Sequence, residues 1–243
     1  MSLEERQVGG PVFNRPDEIS AVVNLADELY RRRAEGNTGG RLLAVLNGCE
    51  GAVESYEVQW RLARALFLDG QASDKDALKF HEAGVAHGRN ATRLSRDRVE
   101  GHFWLGVNLA LLAQQAHPLR APVAVLQARA ELRRAASICQ EYHGAGPLRV
   151  LGRLEHKAPW FLGGSTKRAR TYYDRALGIA AGNCVTLMYA AELAIDEGES
   201  ARAVELLQRI VESQVDPAWE FEHARDEEAA KAMLAQLRQL SPT

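Results

Sequence analysis

Two stretches of this chain repeat one pattern of small and large apolar residues at a fixed distance. Lys167-Arg-Ala169-Arg-Thr-Tyr172-Tyr173-Asp-Arg-Ala176-Leu177 aligns with Ala201-Arg-Ala203-Val-Glu-Leu206-Leu207-Gln-Arg-Ile210-Val211, and Ala169 and Ala203 are 34 positions apart. Each stretch recurs with helical period, so each is half of a unit that cannot bury its apolar face alone and must stack on the next copy. The segment between them supplies Leu187, Ala190, Ala191 and Ala194, a second helix with small residues on one side. Two helices that cross closely need positions poor in Cβ atoms, with large neighbours filling the sides. Composition agrees: aromatics are 7%, β-branched runs are absent, and Ala, Leu, Arg and Glu dominate, which favours an all-α chain. The eight prolines fall between amphipathic stretches or at their first positions, where a residue without an N–H is tolerated. The pattern predicts helices near 17–35, 40–54, 56–69, 74–95, 98–115, 122–142, 147–157, 165–181, 184–197, 200–213 and 217–239, with Ser73, Ser165 and Asp216 as N-caps.

The repeated unit resembles the tetratricopeptide repeat, whose length is about 34 residues. Leu105-Gly106 and Leu151-Gly152 occupy the leucine–glycine slot of its first helix, and Trp60-x2-Ala63 is a weaker copy. Upstream copies carry insertions, including the loop Ala158-Pro-Trp160-Phe161-Leu-Gly163-Gly164. The resemblance implies an all-α superhelix of antiparallel helix pairs, about five of them, extended by a C-terminal helix. It also implies one domain over residues 17–243 after a flexible lead-in at 1–16. An ordinary helical bundle with alanines at chance spacing is the alternative.

Several functional classes are disfavoured. Lys plus Arg number 30 and Asp plus Glu 32, a net charge of −2, without the basic stripe of a nucleic-acid binder. No apolar run is long enough to span a membrane, and the start MSLEERQVGGPVF has no apolar leader region. Location is left open: periplasmic for a trimmed secreted protein, cytoplasmic otherwise. Cys49, Cys139 and Cys184 are an odd, widely spaced set, read as small core residues rather than disulfides. His81-Glu82 with His87 has ligands six apart, which do not share a helix face, so no metal is expected. Gly163-Gly164-Ser165-Thr166-Lys167 lacks the adjacent Gly-Lys and the preceding strand of a phosphate loop. No catalytic grouping and no cofactor are expected, and enzyme status is disfavoured.

Three segments together resemble a known group. They are Val99-Glu-Gly-His102-Phe103-Trp104-Leu-Gly106-Val-Asn108-Leu, Gly146-Pro-Leu-Arg149-Val-Leu-Gly152-Arg153-Leu, and His156-Lys-Ala-Pro159-Trp160-Phe-Leu-Gly163-Gly164-Ser-Thr-Lys-Arg-Ala169-Arg. They resemble the T-component family of TRAP transporters over roughly residues 75–240. That resemblance implies a non-enzymatic bacterial protein whose partner is an extracytoplasmic, periplasmic solute-binding protein. Such proteins are often lipoproteins and sometimes trimers, so a homo-oligomer is an open reading. A general protein-interaction scaffold unrelated to transport is the alternative.

In a tetratricopeptide-like array, four positions of each first helix face the inner groove. Aligning on Gly106, Gly152 and Ala191 places Phe103, Val107 and Met188 there as an apolar row, beside a basic patch of Arg149, Arg153 and His156. Arg149 and Arg153 are four apart on one helix face, suited to a forked carboxylate site. The expected ligand is a small apolar anion or a partner segment bearing a negative group. The plain alternative is solvated arginines and apolar residues that only touch neighbouring repeats. Trp104 is expected in the core, within a cluster that includes His102 and Asn108. Trp160, with Phe161 and Leu162, is expected to cover one mouth of the array or to meet another subunit.

Overall fold

Proline, glycine and short polar caps set the helix ends along the whole chain. The computed structural model describes residues 15–115 and 121–240, so the 1–16 lead-in lies almost wholly outside the described residues, as do Pro11, Pro118 and Pro242. Eleven α-helices follow in order: α1 (Arg15–Arg31), α2 (Thr38–Asn47), α3 (Tyr56–Ala72), α4 (Ala77–Leu94), α5 (Val99–Gln115), α6 (Ala121–Ile138), α7 (Tyr142–Lys157), α8 (Thr166–Ile179), α9 (Cys184–Asp196), α10 (Ser200–Glu212) and α11 (Glu220–Leu240). Among the described residues there is no strand.

Of the three expected caps, Ser165 caps its α-helix and Asp216 caps the turn that leads into α11. The Ser165 hydroxyl accepts from the Arg168 N–H at 3.3 Å, and Asp216 accepts from Ala218 ahead of a short 3-10 turn, Pro217–Trp219. Ser73 accepts from Asp76 instead, so α4 starts three residues later than its spacing suggested. The stretch expected as one helix over 40–54 breaks at Gly48 and at left-handed Gly51, leaving α2 and a 3-10 turn at Ala52–Glu54.

Consecutive helices pair as α1/α2, α3/α4, α5/α6, α7/α8 and α9/α10, with α11 added at the end. The odd-numbered helices also touch one another down the array, which makes them the inner layer. Ala169, Ala176, Ala191 and Ala203, the small residues that define the repeat, are fully buried. One close crossing is α4 on α5: a Cβ at Gly88 would lie 2.8 Å from Leu105 Cβ and 2.9 Å from its Cα, so only glycine fits without moving a backbone. Gly152 plays the same part between α7 and α8, where a Cβ would strike the Tyr173 ring at 2.5 Å.

Two apolar cores result, one under α1–α7 around Trp104, Phe103 and Leu132, the other under α8–α11 around Tyr173, Leu187 and Leu207. Each large buried side chain contributes about 1.5–3 kcal/mol relative to exposure. Asn108 is tied down in the core: it donates to the carbonyls of Ala63 and Trp104, at 3.0 and 2.8 Å, and its Oδ1 meets His81 at 3.2 Å. Trp104 is in the core as expected, its Nε1 donating to Tyr142 at 3.1 Å. Cys49 and Cys184 are buried, whereas Cys139 is only partly covered because α6 ends one residue before it.

Candidate functional site

The inner face holds the most unusual local structure. Between α6 and the right-handed part of α7, His143, Gly144 and Ala145 all adopt left-handed conformations, with φ of 54°, 61° and 59°. Gly144 takes this freely, but a Cβ there would meet Trp219 Cζ2 at 3.0 Å and Asn183 Nδ2 at 3.1 Å. His143 and Ala145 are non-glycine residues in a sparsely populated region that costs of order 1–3 kcal/mol each. Arg149, one turn into the helix that begins at Pro147, holds this turn by donating to the Gly144 carbonyl at 2.8 Å and the His143 carbonyl at 3.3 Å.

Around the turn sits a ring of aromatic groups. The His143 imidazole lies 5.2 Å from Trp104, 5.5 Å from Phe103 and 4.8 Å from Trp219, centroid to centroid, and its Nε2 is 3.1 Å from the Tyr30 hydroxyl. Trp219 also lies 5.0 Å from the Arg149 guanidinium. Arg33 then clasps the segment that carries Trp219: it binds Glu222 at 2.9 Å and the Ala218 carbonyl. Residues from the two ends of the array therefore meet across the inner face.

This closure explains where the sequence-derived groove residues lie. Phe103, Val107 and Met188 are all buried, the first two in one core and Met188 in the other, so they do not form an open row. Phe103 and Arg149 are brought together at the His143 turn. Arg149 is 4% exposed and has no ion pair among the described residues. Burial pushes the Arg149 guanidinium below its usual range, with no carboxylate contact to offset that cost. Arg153 is instead ion-paired with Glu192 and stacked on Tyr189 at 4.3 Å. His156 Nε2 and Lys157 both reach Asp196, at 2.8 and 3.0 Å, completing a strip of paired charges along α7 and α9.

The third feature is outward. Trp160 and Phe161 are 84% and 67% exposed and meet edge-on at 5.9 Å. Among the described residues, both rings face solvent rather than a mouth of the array. Their backbone is nevertheless clipped firmly: Leu162 N–H donates to the Pro159 carbonyl at 2.9 Å, and Arg129 donates to the carbonyls of Leu162 and Gly163 at 3.2 and 3.3 Å. Beneath lies the buried carboxylate of Glu155, bound by Arg129 at 2.8 Å and by Arg168 at 2.7 Å. Val123 and Leu126, also exposed, lie on the i, i+3 row of α6 that leads to Arg129.

Sequence reasoning singled out Arg149 and Trp160 but not His143, Tyr30, Arg33, Asn183, Trp219, Arg129 or Glu155. Two local signals were available: glycines at 144 and 146 just before Pro147, and an aromatic residue right after the Asp216-Pro217 cap. Among the described residues no cluster of three or more metal-ligating side chains exists. No described helix is long and apolar enough to cross a membrane.

The histidines predict a pH response. Burial lowers His81, His87 and His156, and holds His143 well below the ordinary value near 6.5, with Arg149, Arg33 and Arg64 adding to the shift. Burial acts on His102 too, but the Glu131 carboxylate at 2.6 Å and the Arg96 carbonyl outweigh it and raise that group. A histidine whose pKa is lowered by folding contributes stability above about pH 6.5 that is lost as pH falls through its folded value; His102 does the reverse. With four such groups against one, the melting temperature should drop between pH 7.5 and pH 5. A calorimetric scan at both values checks this, and a rise at pH 5 would contradict it.

Comparison with known proteins gives consistent matches. The family described as TRAP transporter T-component matches residues 54–240. A thermophilic TPR protein of Thermus thermophilus superposes with a TM-score of 0.60 at 17% identity, covering 92% of this chain and 98% of that one. Pseudomonas aeruginosa pilF superposes with a TM-score of 0.60 at 14% identity, covering 93% and 95%. No curated protein matches the sequence. The two structures share the all-α, tetratricopeptide-like fold.

Proposed function

The chain belongs to the TRAP transporter T-component family, and on that premise we propose that it is a non-enzymatic accessory of a TRAP-type uptake system that docks an extracytoplasmic solute-binding protein. The observation that carries this reading is the Trp160–Phe161 pair, two large rings held in solvent by a backbone fixed at both carbonyls and over a buried carboxylate. Rigid exposed aromatics lose little side-chain entropy on binding and are the residue types that dominate interface energetics. The platform fits a protein surface with an apolar pocket.

The same reading includes a second occupant, an apolar organic anion on the inner face. At the His143 turn Phe103 would supply the apolar contact and Arg149 the charge, while Val107 and Met188 are buried in separate cores and Arg153 and His156 lie on the α7–α9 strip. Arg153 and His156 already hold Glu192 and Asp196, so a ligand carboxylate there must displace one of those partners. Arg149 carries no such competitor.

The test uses the double variant Trp160→Ala/Phe161→Ala and the solute-binding protein of the same uptake system. Loss of two anchoring rings should weaken docking at least tenfold, since each hot-spot aromatic contributes about 2 kcal/mol or more. The melting temperature should stay unchanged, because the rings make few contacts inside the chain. Undiminished docking would remove the platform from the account. Docking of unrelated proteins, and not of the solute-binding protein, would favour a general interaction scaffold, the role to which tetratricopeptide-like folds also lend themselves.

A further inference from the structure

We propose that the chamber around Arg149 binds an aromatic carboxylate, and that Trp219 and Glu222 occupy it as a built-in surrogate for that ligand. The proposal rests on the reading that the inner face takes an apolar anion, and adds which pocket, which ligand class and what keeps it closed.

Four observations converge. First, three guanidinium groups surround Tyr30 and His143, and they are not equally neutralised. Arg64 binds Asp27 at 2.7 Å, Arg33 binds Glu222, and Arg149 meets no carboxylate among the described residues: it donates to carbonyl oxygens, to Asn183 Oδ1 at 3.3 Å and to His143 Nδ1 at 3.4 Å. Hydrogen bonds to neutral groups offset only part of a buried guanidinium's desolvation, so an incoming carboxylate would find its strongest partner here. Second, Asn183 is 5% exposed and its Nδ2 has no hydrogen-bond partner, yet this donor lies beside Gly144 where the Trp219 ring also packs. It is a free donor facing a place now filled by hydrocarbon. Third, the filler is a side chain on a three-residue 3-10 turn, Pro217–Trp219, joined to α10 by the non-helical residues 213–216. Fourth, the filler has the chemistry of the ligand itself. Its indole lies against Arg149 and His143, and three residues later its carboxylate is taken by Arg33.

Removing this strap would vacate a ring-sized space against His143, Gly144 and Arg149. It would expose two guanidiniums and the Asn183 amide to one incoming group. The left-handed turn at 143–145 keeps its carbonyls on Arg149, so the guanidinium stays aimed at the chamber. A carboxylate would find charge-assisted donors there, and a flat ring would find aromatic faces and edges.

Indole-3-acetate and its neutral analogue indole-3-acetamide test the proposal by calorimetric titration of the full chain. Trp219→Ala should bind the acid at least tenfold more tightly than the wild type does, and should prefer the acid to the amide by at least tenfold. Glu222→Gln keeps the rings in place but frees Arg33, and should raise the acid's affinity severalfold, which preserves the test if Trp219→Ala folds poorly. Equal affinity for acid and amide would overturn the anion site. Equal binding by the wild type and Trp219→Ala, lost in Arg153→Ala, would overturn the strap while leaving an anion site on the α7–α9 strip. No binding by any variant would overturn both the strap and the inner-face anion reading, without touching the docking platform.

Discussion

Replacing Glu155 by alanine should destabilise the protein by about 3–5 kcal/mol, the range found when one partner of a buried ion pair is removed. The Glu155 side chain has no exposure, and both its oxygens are taken, one by Arg129 and the other by Arg168. Arg129 is itself buried, so the substitution strands a charge beneath the 158–164 loop. For a chain of this size each 1 kcal/mol moves the midpoint by about 2–4 °C, so a fall of roughly 6–20 °C is expected. Glu155→Gln keeps acceptor and shape and should cost less. The loop should loosen with the carboxylate gone, because Arg129 and Arg168 also hold its carbonyls, and docking should weaken along with stability. A calorimetric scan showing less than about 2 °C of change would contradict this picture of the platform's support.

Gly88→Val is the second large effect, argued from contact with backbone rather than side chain. A Cβ at this position falls within 3 Å of Leu105 Cα and Cβ, so α4 and α5 must separate. Overpacking usually costs about 1–3 kcal/mol, and a branched side chain against a helix backbone belongs at the top of that range or above. The cost is also transmitted, since α5 carries Phe103 and Trp104 to the His143 turn and packs on α3, α4, α6 and α7. The midpoint in urea should fall with little change in its slope. An unchanged midpoint would mean that the two helices separate freely at this crossing.

The array was largely legible because its signals are local and periodic. Ala169, Ala176, Ala191 and Ala203 mark crossings that demand small side chains, Ser165 caps α8 as expected, Asp216 caps the 3-10 turn ahead of α11 where the helix itself was expected to start, and Pro147 lies where right-handed helix resumes. The inner face was only partly legible. Arg149 was recognised as a charge at the groove. What surrounds it depends on contacts no window of sequence contains: Arg33 to Glu222 spans 189 residues, and Trp219 reaches His143 across the array. The groove expected to be open at Phe103, Val107 and Met188 is therefore covered. The loop at Trp160 shows the opposite mismatch. Its apolar composition pointed to cover, but Arg129 and Glu155 fix the backbone so that the two rings face solvent. The carboxylate that does this sits in mid-helix, where nothing in the pattern distinguishes it from a solvated glutamate.

The central claim is that this chain is a docking partner of a solute-binding protein, with its own aromatic platform as the contact. Isothermal titration of the wild-type chain with the solute-binding protein of the same uptake system tests it most directly. The account predicts saturable binding with Kd of about 1 μM or tighter and a negative heat-capacity change from burial of the rings. No heat and no co-migration at about 100 μM of each protein would contradict it, since that places any affinity weaker than about −5.5 kcal/mol.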